Sequence, residues 1–136
     1  MLVSDHVNGL GDNPLIGSDD PEAGSRFVDM SRPYVASALQ HASSCAVTLG
    51  LTAEKGIYWS TRRNVVTLGL ASGTGIAPEA ILAAQANVPV LAIVVPPDRT
   101  GDEELAGRVV CLALEIAGGM AEIGNGAVRP GHTALS

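Results

Sequence analysis

Residues 71–75, with the sequence ASGTG, form the stretch of this 136-residue chain whose residue types best suit ligand binding. Glycine permits positive φ and allows a ligand or another backbone segment to come close. The apolar, β-branched run at 65–70 predicts a strand before this stretch, and Pro78 and Glu79 suit the first turn of a helix after it. The candidates for contact with a ligand are Gly73, Thr74 and Gly75.

A second buried strand is predicted at 88–95, after the helix, and two prolines end it. Strand–helix–strand units of this length are nearly always parallel and right-handed. Ligands of such sheets lie beyond the carboxyl ends of the strands, so Asp98 is expected on the same rim as the glycine loop. A carboxylate there can accept hydrogen bonds or act as a catalytic acid or base. The structural alternative for Asp98 is an acid that leads into the next helix.

The glycine loop matches neither of the common phosphate-binding motifs. Pro78 occupies the position of the third glycine of the dinucleotide fingerprint, and the loop lacks the lysine of a P-loop. No cofactor is implied, and no spacing typical of metal ligands occurs in the sequence. The alternative to a ligand loop is a tight connection in which glycine serves only packing.

Other elements are predicted that would position this loop. Residues 2–4 indicate the end of a strand, which a polar, glycine-rich loop follows. A helix is expected from a cap at Ser31, with Pro33 in its first turn, to a glycine stop at Gly50. The apolar residues at 56–60 then predict another strand.

The last helix is predicted from the capping-box spacing of Thr100 and Glu103 and from an apolar face that continues to Met120. Residues 121–136 show no period and are expected to be a flexible tail. We therefore predict one α/β domain over residues 1–120, with three layers and a mostly parallel sheet flanked by helices.

The composition excludes several classes of function. The net charge of −6 argues against nucleic acid or an anionic membrane as the main partner. No apolar run has the length of a membrane span, and we expect no signal peptide. Cys45 and Cys111 lie at apolar helical positions, which indicates buried free thiols and a cytoplasmic location.

Two specific segments carry a resemblance to a known family. DHVNGLGDNPLIG at 5–17 resembles the DHIN…G.NPL.G segment of the trimeric purine nucleoside and methylthioadenosine phosphorylases. RFVDMS at 26–31, followed by a tyrosine, resembles their RF.DMS..Y segment. EKGIY at 54–58 and APEAILA at 77–83 add weaker matches in the same order. Together the matches cover most of residues 3–115.

The resemblance implies a trimer with a pocket for a nucleoside, nucleobase or similar ring compound. Asp98 falls on the family's base-reading position, and Asp102 falls near its ribose-side histidine. Phe27 matches a phenylalanine that reaches the neighbouring subunit's pocket. The alternatives are a local core anchor for Phe27 and a first-turn acid, favoured by the helix dipole, for Asp102. His6 and Asn8 lie in the best-matched segment, which shapes a subunit contact in the family.

The chain also departs from the family. Nothing matches the N-terminal half with its phosphate-binding glycine loop, and STRRN at 60–64 replaces the segment with the base-binding glutamate. Arg62 and Arg63 are candidates for binding an anion at the rim, although a solvated charged turn is the commoner arrangement. Tyr58 and Trp59 alternate on the preceding strand, so one of them faces the core. Tyr58 is a further candidate for substrate contact.

Three functions fit these residues. The first is a phosphorylase-like enzyme that acts on an N-glycosidic bond. The second is an enzyme that kept the pocket but changed the reaction, with Asp98 or His6 as the acid–base group. The third is a non-catalytic protein that binds a small ring compound or assembles with other copies. The missing phosphate loop predicts that ordinary phosphorolysis is inefficient.

Overall fold

The computed structural model describes residues 1–17, 24–63, 71–95 and 101–126, with side chains to residue 119 in the last segment. The helices and strands in these ranges are β1 Leu2–Asn8, α1 Ala36–Thr48, β2 Lys55–Ser60, β3 Ala71–Gly73, α2 Ala77–Gln85 and α3 Glu103–Gly126. None of the helices in this part of the chain combines the length and the apolar character needed to cross a membrane.

The sheet has the order β1-β2-β3, and both pairings are parallel. The register places Asn8 opposite Ser60 and Ser60 opposite Gly73, so the three strands end level with one another. The loops that follow the three strands therefore meet at one edge, where parallel sheets bind their ligands. These features confirm the prediction of an α/β fold with a parallel sheet flanked by helices.

The core lies between the sheet and the helices. On β2, Tyr58 is 7% exposed and Ser60 is fully buried, whereas Ile57, which precedes Tyr58, is 42% exposed and Trp59 between the two buried residues is half-buried. This alternation is that of a strand with one covered face. The helices contribute small and branched apolar side chains to the same cluster, which contains Leu2, Val3, Tyr34, Leu39, Ala42, Ala46, Tyr58, Ala80, Leu112 and Ile116.

The end of α1 is held by a side chain of α3. The Arg108 guanidinium donates hydrogen bonds to the carbonyls of Leu49, at 2.6 Å, and Gly50, at 2.7 Å. Gly50 has φ of 64°, a conformation that glycine adopts without strain. The predicted glycine stop of this helix is therefore confirmed.

The predicted end of the first strand and the predicted beginning of the first helix were wrong. β1 was expected to end near Ser4, but it continues to Asn8 because its parallel pairing with β2 overrides the polar character of Asp5 and His6. α1 begins at Ala36 rather than after Ser31. Asp29 Oδ1 instead accepts the Ser31 N–H at 2.8 Å, a local turn that competes with helix formation.

The strand–helix–strand prediction needs two corrections. Residues 71–73, expected in a loop, form β3, while the strand predicted at 65–70 lies outside the described residues. Residues 88–95 form only isolated bridges, and the one between Ile93 and Leu2 is antiparallel. Pro89 lacks the N–H that a continuous ladder requires, which explains why a strongly apolar run does not become a regular strand. The helix predicted between the glycine stretch and the 88–95 segment is confirmed as α2.

The C-terminal helix differs from the prediction in its length. α3 continues to Gly126, beyond Met120 where the flexible tail was expected to begin. Residues 127–136 lie outside the described part, so the tail stays a prediction for them. Both cysteines are free thiols, but Cys111 is exposed and Cys45 is half-buried. The expectation of two buried thiols was therefore wrong, because Cys111 lies on the outer side of α3.

Candidate functional site

A cleft of about 210 Å³ lies at the carboxyl edge of the sheet. Its lining residues follow the ends of β1, β2 and β3 or belong to the start of α2, which is the position where open α/β sheets bind ligands. They are Leu10, Asp12, Asn13, Pro14, Arg62, Thr74 and Pro78.

The loop after β1 is shaped by its own amide side chains. Asn8 Nδ2 donates to the Asp12 carbonyl at 2.9 Å, and Asn8 Oδ1 accepts the Leu10 N–H at 3.2 Å. Asn13 Oδ1 accepts the Leu15 N–H at 2.9 Å. Asn8 therefore organises the wall of the cleft without lining it, in the manner of asparagines that replace backbone partners in turns.

Gly9 begins the same loop at a point where a side chain has no room. Its N–H donates to the Ser60 carbonyl at 2.8 Å, which ties the loop to the end of β2. A Cβ atom at Gly9 would collide with the indole nitrogen of Trp59. That nitrogen is buried and has no hydrogen-bond partner among the described residues. The loop after β1 thus lies directly on the Trp59 ring.

The loop after β3 is held by the hydroxyl of Ser60. This hydroxyl donates to the Gly75 carbonyl at 2.5 Å and accepts the Ala77 N–H at 3.0 Å. Between these two partners Ile76 has φ of 74° and ψ of −57°, and Ala77 N donates to the Gly75 carbonyl at 3.0 Å. Ile76 therefore occupies a γ-turn with positive φ, which is rare and strained for a branched residue. Such turns persist where the surrounding contacts determine them, as Ser60 does here.

Tyr58 packs beneath this loop. A Cβ atom at Gly73 would collide with the Tyr58 hydroxyl, so glycine lets the tyrosine pack close to the end of β3. Burial is the main cause that raises the pKa of Tyr58, and the nearby Glu79 carboxylate raises it further. Tyr58 thus supports the loop from below as a neutral phenol, and its predicted contact with a substrate stays a prediction.

The structure separates the two arginines of the predicted anion site. Arg62 lines the cleft, where its Nη1 donates to the Leu10 carbonyl at 3.2 Å and its Nη2 lies 3.9 Å from Asp12 Oδ2. Both charged side chains are more than 60% exposed, at 68% and 64%, so this ion pair contributes little to stability. Arg63 is exposed and does not belong to the cleft lining, while its N–H donates to Thr61 Oγ1 at 3.1 Å.

His6 belongs to a half-buried pair with Tyr34. The Tyr34 hydroxyl lies 2.9 Å from His6 Nδ1, and the two rings meet edge to face with centroids 5.7 Å apart. Burial lowers the pKa of His6, against the opposing effect of the Asp5 carboxylate. Burial, with Asp5 and Glu79 as smaller causes, raises the pKa of Tyr34 to about 12. Burial therefore favours the neutral imidazole, which is hydrogen-bonded to Tyr34 and does not line the cleft.

Three predicted site residues lie away from the cleft or outside the described part. Phe27 is 92% exposed, so its alternative role as a local core anchor is wrong. Asp102 Oδ1 accepts the Leu105 N–H at 2.9 Å and so caps the start of α3. Asp98 lies outside the described residues.

Several residues of the site were not singled out from the sequence. Asp12 and Asn13 lie in a segment that we interpreted as a subunit contact, although consecutive Asp and Asn residues before a proline are a turn signal. Ser60 is a fully buried polar residue at a strand end, and only the structure shows what it binds. Among the described side chains, no three His, Cys, Asp or Glu residues are grouped as metal ligands.

The fold and the sequence both resemble purine nucleoside phosphorylases. No family model matches the sequence. Purine nucleoside phosphorylase 1 of Geobacillus stearothermophilus is 38% identical over 104 residues, which cover 68% of this chain and 38% of that protein. The chain therefore spans well under half the length of this curated relative, and the resemblance extends over about two thirds of the chain.

Solved structures support the same resemblance. Isoform 2 of purine nucleoside phosphorylase from Schistosoma mansoni, in complex with cytosine and ribose-1-phosphate, superposes with a TM-score of 0.58 at 27% identity. That match covers 67% of this chain and 38% of the other. A purine nucleoside phosphorylase in complex with ribose-1-phosphate gives a TM-score of 0.65 at 19% identity over 85% of this chain and 50% of the other, which shows the shared fold.

Proposed function

We propose that this chain is a nucleoside phosphorylase-like protein that binds a nucleoside, a nucleobase or a similar small ring compound in the cleft at the carboxyl edge of its sheet. The observation that carries the proposal is the convergence of the loops after β1, β2 and β3 on one cleft, in a chain that resembles these phosphorylases. The cleft volume of about 210 Å³ is below the roughly 300–1,000 Å³ of sites for drug-sized ligands, which favours a single ring system.

Arg62, Asn13 and Thr74 are the polar groups that we assign to ligand contact. The Arg62 guanidinium is exposed and only loosely paired, so it is free to meet an anionic or carbonyl group. The Thr74 hydroxyl offers a donor and acceptor, and Leu10, Pro14 and Pro78 supply the apolar walls for a ring. Gly73 and Gly75 act through the backbone of the loop that carries Thr74.

Isothermal titration with hypoxanthine and guanosine, each with and without phosphate, tests this assignment. Arg62→Gln is expected to weaken binding about tenfold or more, because hydrogen bonds to charged groups contribute roughly 1.5–3 kcal/mol. Arg32→Gln is the matched control, an exposed arginine that does not line this cleft, and its affinity is expected to match the wild type. Equal affinities for all three proteins would place the ligand elsewhere.

Asp98 remains our proposed acid–base or hydrogen-bonding group for the ligand, and the support is its match to the family's base-reading position. The preceding segment gives no further support, because it runs antiparallel to β1 where Ile93 meets Leu2. Asp98→Asn retains the size of the side chain and loses the charge, so it should keep the fold and weaken ligand binding or turnover by roughly 1.5–3 kcal/mol. Unchanged affinity and turnover in Asp98→Asn, combined with destabilisation in Asp98→Ala, would assign this residue to a structural cap instead.

The described residues support a binding role better than a catalytic role. The His6 imidazole is hydrogen-bonded to the Tyr34 hydroxyl. The charged side chains that line the cleft are the exposed Arg62 and Asp12. The base-binding glutamate segment of the resembled family is replaced by residues 60–64. We therefore expect inosine and adenosine to be cleaved inefficiently in phosphate buffer, and phosphate-dependent base release at rates normal for the relatives would overturn this expectation.

We also propose assembly into a trimer, with Phe27 in contact with a neighbouring subunit. The support is the exposure of this phenylalanine, 92%, on a segment that resembles the family's subunit-spanning loop. Light scattering should give a trimer for the wild type and smaller species for Phe27→Ala, and a stable wild-type monomer would remove the proposal. The cytoplasmic location stays a prediction from the two free thiols.

A further inference from the structure

A thiol and an imidazole meet on α1, away from the cleft at the carboxyl edge of the sheet. Cys45 Sγ lies 3.5 Å from His41 Nε2, which is within hydrogen-bonding distance for sulfur. Residues four apart on a helix are neighbours on the same side, so the contact follows from their spacing in the sequence. Both side chains are half-buried. We call Cys45 and His41 the thiol–imidazole pair.

The position of the imidazole depends on the backbone of α3. A Cβ atom at Gly119 would collide with Nε2 and Cε1 of the His41 ring. The backbone of α3 therefore lies against the ring edge that carries the nitrogen facing the thiol. The preceding residue, Gly118, is exposed, and the space around it is open. Of these two consecutive glycines, Gly119 is the one that gives the imidazole its space.

The thiol has a different kind of partner from the hydroxyl groups beside it on α1. Ser43 Oγ donates to the Leu39 carbonyl at 2.9 Å, and Ser44 Oγ donates to the Gln40 carbonyl at 3.2 Å. These hydroxyls thus bond to the backbone one turn earlier. The partner of Cys45 is a ring nitrogen, which accepts the thiol hydrogen in the tautomer that carries its proton on Nδ1. A thiol beside a base that can take its proton is the arrangement of activated cysteines.

A thiol beside an imidazole can serve either metal coordination or nucleophilic attack. A structural zinc site takes four ligands, and among the described side chains no third His, Cys, Asp or Glu residue joins the pair. Nucleophilic attack needs only the thiol and its base. We propose that Cys45 is a modification site that forms mixed disulfides with small disulfide compounds, and that His41 is the base that takes the thiol proton.

The reaction is a thiol–disulfide exchange. His41 Nε2 takes the proton of the Cys45 thiol, and the thiolate attacks one sulfur atom of the compound. The S–S bond of the compound breaks as the new S–S bond to Cys45 forms. The leaving thiolate keeps the electron pair of the broken bond and takes the proton from the imidazolium. Cys45 is thus oxidised, half of the compound is released as a reduced thiol, and His41 returns to its neutral form.

Treatment of the full chain with hydroxyethyl disulfide, a small uncharged compound, tests this proposal. Peptide mass spectrometry follows the mixed disulfides at Cys45 and at Cys111, the exposed free thiol of α3 that serves as the reference. Cys45 is expected to react about tenfold faster than Cys111 or more, although it is less exposed, because the imidazole takes its proton. An equal or faster reaction of Cys111 would overturn the proposal. Ligand binding does not affect this test, because neither residue of the pair lines the cleft.

Replacement of the imidazole distinguishes a base from a structural contact. His41→Gln should slow the reaction of Cys45 about tenfold or more and leave the reaction of Cys111 unchanged. A merely structural role of His41 predicts the opposite sign, because a loosened contact between α1 and α3 would expose Cys45 and speed its reaction. The proposal is therefore overturned if Cys45 reacts in His41→Gln as fast as in the wild type, or faster.

The two glycines of α3 provide a matched pair of variants that leave both reacting side chains in place. Gly119→Ala should slow the reaction of Cys45, because the new methyl group displaces the ring from the thiol, whereas Gly118→Ala should leave it unchanged. Circular dichroism checks the fold of each variant, and this pair decides the question if His41→Gln does not fold. Equal rates at Cys45 in Gly119→Ala and Gly118→Ala would overturn the proposal.

Discussion

The two ends of the parallel sheet are stabilised by different kinds of interaction. At the amino end, Leu2 and Leu112 are buried almost completely, and an apolar cleft of about 190 Å³ between β1 and α3 is lined mainly by aliphatic side chains. At the carboxyl end, side-chain amides, a serine hydroxyl and glycines hold the loops by hydrogen bonds. The amino end is stabilised by apolar burial, which has no direction. The carboxyl end depends on directional contacts, and it carries the polar groups that could recognise a ligand.

This difference separates stability from function in the molecule. A change at the amino end removes apolar burial and lowers the free energy of unfolding, without altering the polar groups of the cleft. A change at the carboxyl end moves the loops that position Thr74 and Arg62. It should therefore weaken ligand affinity strongly even where it lowers the free energy of unfolding only slightly. The predictions below test this separation, beginning with the largest effect.

Leu112→Ala is expected to destabilise the protein most, by about 2–5 kcal/mol, because it leaves a cavity at a side chain that is 2% exposed. Leu114→Ala on the same helix is the control, since Leu114 is 68% exposed and should change stability by no more than about 0.5 kcal/mol. Urea unfolding measures both. Equal effects of the two substitutions would show that α3 does not pack through Leu112.

Gly73→Ala is expected to destabilise the protein by about 1–3 kcal/mol, because the new methyl group collides with the Tyr58 hydroxyl. The same substitution should cost less in a Tyr58→Phe background, where the colliding oxygen is gone. Gly107→Ala serves as the control, because the space around Gly107 is open and alanine favours a helix. A cost that is identical with tyrosine and phenylalanine at position 58 would contradict the collision.

Ser60→Ala should cost about 1–2 kcal/mol, because the part-buried Gly75 carbonyl and the buried Ala77 N–H both lose this partner. The γ-turn at Ile76 then loses its support, so ligand affinity should fall although Ser60 does not line the cleft. Ser37→Ala, at an exposed position of α1, should change neither stability nor affinity. Reduced stability with unchanged affinity in Ser60→Ala would separate this turn from the site.

The smallest effect concerns the pH dependence of stability. Burial lowers the pKa of His6 below its usual 6.5, so the unfolded chain binds a proton at a pH where the folded chain does not. The free energy of unfolding should therefore fall as the pH drops below about 6.5, until the pH reaches the lowered pKa of the folded state. His6→Gln should reduce this slope in urea unfolding between pH 5 and 8. An unchanged slope would show that His6 does not titrate differently on folding.

The same contrast explains what could be predicted from the sequence. The apolar periods of α2 and β2 and the glycine stop of α1 predicted those elements correctly, because burial follows from local residue patterns. The extension of β1 through Asp5 and His6 was missed because pairing with a distant strand decides it. The antiparallel bridge of Ile93 with Leu2 was missed for the same reason.

The candidate site was predicted less completely than the fold. The glycine loop and Arg62 were placed at the correct edge of the sheet, since parallel topology fixes where strand ends meet. Nothing in the sequence shows that the Ser60 hydroxyl donates to the Gly75 carbonyl or that Tyr34 forms a hydrogen bond with His6. Both contacts join residues far apart in the chain. Polar contacts of this kind depend on geometry that only the folded chain supplies.

A crystal structure of the chain grown with hypoxanthine or guanosine tests the central claim most directly. We predict that the purine ring lies in the cleft at the carboxyl edge of the sheet, against Asn13 and Thr74, with Arg62 in hydrogen-bonding contact with it. A purine bound instead in the apolar cleft at the amino end, or a carboxyl-edge cleft that stays empty at saturating ligand, would contradict the account.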